Sequence, residues 1–489
     1  MSVQRRRASG RQGRTESPSM RISLSLRPLL LAPLLAGCAM GPNYAPPSPP
    51  KDVGARFVRA DEVSPQTQPS LAPWWRELDD ALLSTLIEEA LAASPTIEAA
   101  QARVEQARAQ ANGARAAFAP VAGAGAAIGD MRAPALVTGG PAQSTSVFMT
   151  GFDALWEVDV FGGQRRGLEG AKARLEGSRA DADNARLSLS AEVARQYLGV
   201  RAAQERLALA RRALTTQERI TALTAQLQTA GKVSLIERQA SERALEGQRR
   251  AVMGAQAGLN DARDGLAVAV GRAPGALDQR LETGGAIPLP PAEVLIGDPT
   301  GMIARRPDIR AAEQRLRQAN AAIGAAQAAR MPRVSLAGVI GLGGAAKGDW
   351  TTSDNLFSLA APTLQWNVAD FGRGKSGVNQ ALAGRAGAEA TYEATVLAAL
   401  QDAEGSLNRY GEARNALAAS ARATGSARQS AELSNSAWRA GRTSALSALG
   451  ADMAQLAAED ALVQARANLT VSYVALQKAL ASGWTTQTL

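Results

Sequence analysis

The chain has 489 residues, with 54 basic and 45 acidic side chains, no histidine and a single cysteine, Cys38. Without histidine or a second thiol there is no zinc-type ligand set, no imidazole acid or base and no Ser-His-Asp triad; a carboxylate-only or serine–lysine enzyme is the remaining alternative to the expected non-enzyme without a metal site. The net charge of +9 is concentrated ahead of Cys38: residues 1–37 hold seven arginines and one glutamate, leaving 47 basic and 44 acidic residues elsewhere, which excludes a nucleic-acid binder on charge.

Arg21 and Arg27 precede the apolar run Leu29 to Leu35, and small residues follow at Ala36 and Gly37. A charged start, a short apolar stretch and a small-residue cut describe a secretory signal peptide over residues 1–37, cleaved between Gly37 and Cys38. The run falls short of the ~20 apolar residues a bilayer-spanning helix needs. Met20 gives a signal of ordinary length, so residues 1–19 read as an untranslated or a disordered prefix. Leu35-Ala36-Gly37-Cys38 resembles the bacterial lipobox. That resemblance implies a diacylglycerol and an N-acyl chain on Cys38 and, with Ala39 rather than aspartate next, sorting to the outer membrane. No other cofactor is expected. Residues 38–73, rich in proline from Pro42 to Pro50, form an extended tether.

From here the chain is written twice. Residues 74–284 make a first repeat and 285–489 a second. Pro95–Pro120 matches Pro307–Pro332 at an offset of 212 with twelve identities, and Trp156…Phe161-Gly162 returns as Trp366…Phe371-Gly372 at an offset of 210. In each half a proline opens a helix of about 22 residues at a position where the first turn accepts it. Strands follow at about 120–132 and 146–158, then about 332–344 and 355–367. Val334, Leu336, Ile340 and Leu342 alternate with Ser335, Ala337, Val339 and Gly341.

Long helices come next, at about 165–230 and 233–270, then about 374–438 and 442–482, carried by alanine and leucine in seven-residue register such as Val193, Val200 and Leu207. A helix of ~66 residues is on the order of 100 Å long, which suits a tube wall or stalk. Gly231 and Gly441 each lie 75 residues after their tryptophan and mark the hairpin turns.

Nine of the nineteen aromatics fall within 118–161 and 332–371, bracketing the strands as the girdles of an outer-membrane barrel do. The same pattern also suits an ordinary small sheet packed on helices. Four strands cannot close a barrel and open edges are intolerable in lipid, so if the strands span a membrane, several copies must pool them. Two copies would give eight strands and three would give twelve. The fold class is therefore mainly α with a small transmembrane β part: two duplicated halves, each a long coiled-coil hairpin plus a β-hairpin.

Five motifs together carry a resemblance to a known family: Cys38-Ala39-Met40-Gly41-Pro42-Asn43-Tyr44, Trp74-Trp75, Arg306-Pro307-Asp308-Ile309-Arg310, the paired Trp…Phe-Gly segments, and Leu476 to Leu480 with Gly483-Trp484. In combination they resemble the lipoprotein branch of the TolC/OprM outer-membrane efflux family. The resemblance implies a homotrimer with a twelve-stranded barrel in outer-membrane lipid, continued by a periplasmic α-barrel. Its partners would be a periplasmic membrane-fusion adaptor and an inner-membrane RND-type pump. The channel itself would conduct passively while the pump supplies the energy.

The same resemblance makes Gly231, Lys232, Gly441 and Arg442 the periplasmic tip that meets the adaptor, and the inner hairpin, 374–482, the gate. Glu237 and Trp438 sit where family members link the hairpins with an acid and a tyrosine. Ser447 and Gly450 sit where TolC has its aperture aspartates, with Asp452 the nearest carboxylate, so an acidic ring is not carried over. Arg439 and Arg442 flank the second turn.

Asp370-Phe371-Gly372 spells the kinase magnesium motif, but no Gly-rich loop or catalytic-loop partner accompanies it. With Phe161-Gly162 it reads as the bend from strand to long helix. A type I protein-secretion channel is the alternative with the same architecture. A periplasmic adaptor would need one hairpin and more β structure.

Overall fold

The computed structural model describes residues 1–2, 39–48, 53–60, 73–133, 142–345 and 352–483. Gly37 and Cys38 lie outside the described residues, as do Trp350 and Trp484.

A 3-10 turn, Trp74–Leu78, leads into α1 (Ala81–Ala93) and α2 (Pro95–Ala116). Next come β1 (Val121–Ala133), β2 (Gln143–Val158), the 67-residue α3 (Gly163–Thr229) and α4 (Leu235–Ala269). The second half repeats the order: α5 (Pro299–Arg305), α6 (Pro307–Ala328), β3 (Arg333–Gly344), β4 (Leu356–Gln365), the 67-residue α7 (Arg373–Arg439) and α8 (Ala445–Leu480). Two boundaries differ from the sequence pattern by three residues, the others by at most two. β2 starts at Gln143 because it pairs with β1 as far as Ala133. α8 starts at Ala445 because the Ser444 hydroxyl caps it, accepting from the Ser447 amide.

Each half also contains a splice that periodicity alone does not reveal. α4 ends at Gly271, where a Cβ would lie 3.2 Å from the Pro95 ring at the start of α2. α8 ends against the start of α6, where Arg306 Nη1 donates to the Ala479 carbonyl at 2.8 Å and to Asp402 at 3.2 Å. A proline at each joint needs no hydrogen-bond acceptor, so two short helices abut where one long helix would otherwise run. Each half is thus one continuous rod beside one spliced rod. Arg306 also forks onto both Asp308 oxygens, which explains the Arg-Pro-Asp motif as the brace of this joint.

α3 packs on α2, α4, α6 and α8, and α7 packs on α6 and α8. In the core Trp74 meets Tyr473 edge-on, and Tyr410 lies tilted against Tyr473 at 6.3 Å. Tyr473 donates to Glu77 there at 2.6 Å, and Tyr197 donates to Asp80 at 2.6 Å. Among the described residues no helix is long and apolar enough to cross a membrane.

Candidate functional site

The four strands form one antiparallel sheet in the order β1-β2-β3-β4. The register sorts its residues into two faces. One carries Ile128, Phe152, Trp156, Leu336, Ile340 and Leu364; its charges, Asp130 and Arg132, stand at the end remote from the helices. The other carries Asp153, Glu157, Ser335, Thr363 and Gln365 beside Leu155, Val339 and Leu359.

On this second face Gly125, Gly151 and Gly341 stand in one cross-strand row. A Cβ on Gly151 would meet the Ile340 carbonyl oxygen at 2.4 Å, and one on Gly341 would meet that of Thr150 at 2.5 Å. Backbones that close leave no room for side chains, so glycine is required in this row. β1 pairs only with β2 and β4 only with β3, so both edges of the sheet are open within one chain.

At the base of the sheet the two halves use the same devices. Trp156 Nε1 donates to the Phe118 carbonyl at 2.9 Å, and Trp366 Nε1 to that of Arg330 at 3.2 Å, so each motif tryptophan stitches a strand to the end of the helix before it. Gly162 and Gly372 take φ of 77° and 91°, which an L side chain resists, and start the long helices. The Asp159 carboxylate receives the Gln164 and Arg165 amides, and that of Asp370 receives the amides of Gly372 and Gly374. Those backbone bonds hold Asp370 below the usual carboxylate range, and the nearby arginines Arg330 and Arg373 assist. The apparent kinase motif is a helix cap.

The two bends differ in cover. Phe161 is half-buried and its carbonyl accepts from the Met40 amide, whereas Phe371 is 95% exposed with a left-handed φ of 52°. What covers the first bend is the tether. Ala39 lies against Gly162, so the chain reaches the described region, one residue after Cys38, at the base of the sheet.

Arg166, only 6% exposed, donates to the Met40 carbonyl (3.0 Å), the Gly41 carbonyl (3.1 Å), Asn43 Oδ1 (3.0 Å) and Glu169 (2.8 Å). Gly41 has φ 90° and passes so near α6 that a Cβ would lie 2.4 Å from the Gly324 Cα. Asn320 donates to the Pro42 carbonyl, Tyr44 donates to Glu313, and Arg317 lies over the Tyr44 ring at 5.7 Å. The sequence pattern gave Arg166 no role; one arginine among many carries no local signature of a clasp.

At the opposite end the helices turn. Gly231 and Gly441 both have φ 68°, and the Lys232 and Arg442 amides return to the Leu227 and Ala437 carbonyls at 2.8 Å each. Lys232 and Arg442 are exposed beside them, as is Ile236 at 75%. The expected link between Glu237 and Trp438 is not made within the chain. Glu237 closes a capping box, accepting the Ser234 amide at 2.6 Å while its own amide goes to Ser234 Oγ at 3.2 Å. That backbone bond holds its carboxyl below the ordinary range. Trp438 stands 46% exposed.

Asp452 accepts from Asn435 at 2.7 Å, tying α8 to α7 rather than standing free. Ser447 takes part in the α8 cap, Gly450 faces open space, and Arg439 Nε returns to the Asn435 carbonyl. No group of acidic or sulfur side chains that could hold a metal occurs among the described residues.

A family model described as outer membrane efflux protein matches residues 86–272 and again 300–482. Outer membrane protein OprJ of Pseudomonas aeruginosa is 30% identical over 474 residues, covering 93% of this chain and 95% of that protein. The toluene efflux pump outer membrane protein TtgC of Pseudomonas putida is 28% identical over 462 residues, covering 93% and 94%. Among solved structures, the outer-membrane channel OprN superposes with a TM-score of 0.82 at 30% identity, over 91% of this chain and all of that one.

Proposed function

The chain belongs to the outer membrane efflux protein family and is an outer-membrane protein of the efflux-channel type, and from that premise we propose how it works. Three copies pool their strands into a twelve-stranded barrel and continue below it as a helical tube. The observation that carries this reading is the four-stranded sheet, with exposed apolar and aromatic residues gathered on one face and both edges open. Lipid cannot satisfy the free N–H and C=O groups of those edges. Because β1 and β4 run in opposite directions, β4 of one copy can pair antiparallel with β1 of the next.

The tether supports the same orientation. It delivers the chain to the base of the sheet one residue after Cys38, so diacylglycerol and N-acyl chains on Cys38 would enter the bilayer beside the bend at Gly162. The 67-residue rods extend ~100 Å from there and put the tips deep in the periplasm. The adaptor meets those tips at Gly231, Lys232, Gly441 and Arg442, and an inner-membrane RND-type pump supplies the free energy. Glu237, Trp438, Arg439, Ser447, Gly450 and Asp452 lie where the aperture opens and closes.

The channel does no chemistry; it offers a water-filled path to small molecules of the kind that toluene, the named cargo of TtgC, exemplifies. The test is mass and conductance of the acylated protein in mild detergent and in planar bilayers. A trimer that conducts is the expected result. A monomer with all four strands folded would overturn the proposal.

A further inference from the structure

Among the described residues, the hydrogen bonds and ion pairs that join the two hairpins of one chain stand well above the tips. On α8, Glu459 accepts from Arg212 of α3 and lies 3.7 Å from Arg428 of α7, while Gln455 donates to it at 2.8 Å. Beside it Asp460 accepts from Arg206 of α3 at 2.9 Å. Arg212 precedes the turn glycine Gly231 by nineteen residues, and Glu459 follows Gly441 by eighteen. Both therefore stand ~28 Å above the tips. Nearer the tips, no hydrogen bond or ion pair among the described residues runs from α3 or α4 to α7 or α8.

The apolar core stops at the same height. Its members nearest the tips are Leu209 on α3, Val252 on α4, Leu417 on α7 and Leu456 on α8. Beyond that level each hairpin is still tied within itself. Thr221 and Ser241 hydroxyls meet at 2.9 Å across the first, and Asn435 meets Asp452 at 2.7 Å across the second. Two stiff arms thus leave a common stem at one level.

We propose that Glu459 is the positioning residue that sets this level, the fulcrum about which the two arms of a chain part when the periplasmic end opens. The proposal rests on the channel reading above. Glu459 differs from Asp460 in two respects. Its side chain is 14% exposed, whereas Arg206 and Asp460 are both about half exposed, the setting in which an ion pair contributes little. Glu459 also neutralises one arginine from each hairpin. Without its charge, Arg212 and Arg428 lose the carboxylate they share, and two like charges remain at the joint.

The test is resting conductance of the acylated channel in planar bilayers. Glu459→Gln keeps size and amide hydrogen bonding but removes the charge, and should raise resting conductance about tenfold. Arg212→Gln loses the cross-hairpin tie without leaving two facing arginines, so its rise should be smaller, about threefold. The double variant Glu459→Gln/Arg212→Gln should fall back to the level of Arg212→Gln, a reversal that mere loss of packing would not produce. Asp460→Asn should behave as wild type.

The proposal is overturned if Glu459→Gln conducts like wild type, if Asp460→Asn matches it, or if the double variant leaks more than Glu459→Gln. Should Glu459→Gln fail to assemble, Arg212→Gln against Asp460→Asn makes the same comparison. A wild-type protein that is monomeric and never conducts would instead remove the channel reading itself.

Discussion

Arg166→Ala offers a direct way to separate the tether from the channel body. The guanidinium is 6% exposed and makes four hydrogen bonds, three of them to Met40, Gly41 and Asn43. A hydrogen bond from a charged donor contributes about 1.5 kcal/mol or more, and three that share one donor group together hold the segment by ~3 kcal/mol. The remaining ties, from Asn320, Tyr44 and the Met40 amide, keep the tether nearby but no longer fixed. A loss of ~3 kcal/mol corresponds to a rise of about 150-fold in the local opening constant.

Hydrogen exchange read by mass spectrometry on residues 39–48 of the purified channel in detergent should show that rise. The long helices should keep their protection. Arg165→Ala is the control, because Arg165 is bonded to Asp159 and not to the tether. Unchanged protection in an assembled Arg166→Ala channel, or an equal loss in Arg165→Ala, would refute the clasp.

Replacing Trp156 or Trp366 by Phe removes one indole donor from the strand-to-helix stitch and should cost about 1 kcal/mol in each half, measured as a shift of the denaturant midpoint. Gly231→Ala and Gly441→Ala place a side chain at φ 68° with nothing within 4 Å of the new Cβ, so each should lose about 1 kcal/mol to backbone strain alone, with helical circular dichroism intact. Unequal losses would show that the two tips are not equivalent.

The clasp also has a pH signature. Burial alone would raise the Glu459 pKa, but hydrogen bonds from Gln455 and Arg212 and the charges of Arg212 and Arg428 outweigh it and hold the carboxyl below the ordinary range. A depressed carboxyl contributes its stabilisation above the unfolded value and loses it as pH falls through the folded one. Resting conductance of wild type should therefore stay flat from neutral pH down and rise only below about pH 4, while Glu459→Gln should not respond there. A rise near pH 6 would point to another group.

Much of the architecture was legible from local pattern. Gly231 and Gly441 announced the turns because only glycine accepts that φ cheaply, and Pro95 and Pro307 announced helix starts because their missing N–H costs nothing there. The apolar alternation of β3 is a local matter too. Within one chain Glu237 bonds to Ser234 rather than Trp438 for a related reason. A capping box forms between neighbours in the chain, and its short reach gave the Glu237 carboxylate a nearer partner than any indole.

What the sequence alone determined, then, is the duplication, and with it everything set by backbone chemistry within a few residues: the rods, the bends and the turns. What only the tertiary structure decided are pairings across long separations. Arg166 meets Met40 across 126 residues and Arg212 meets Glu459 across 247. In a chain with 54 basic side chains, an arginine carries no mark of its partner until helix packing brings the two together. The apolar side of the sheet was likewise fixed by register across strands, because alternation gives each strand two faces but not which of them joins its neighbour's.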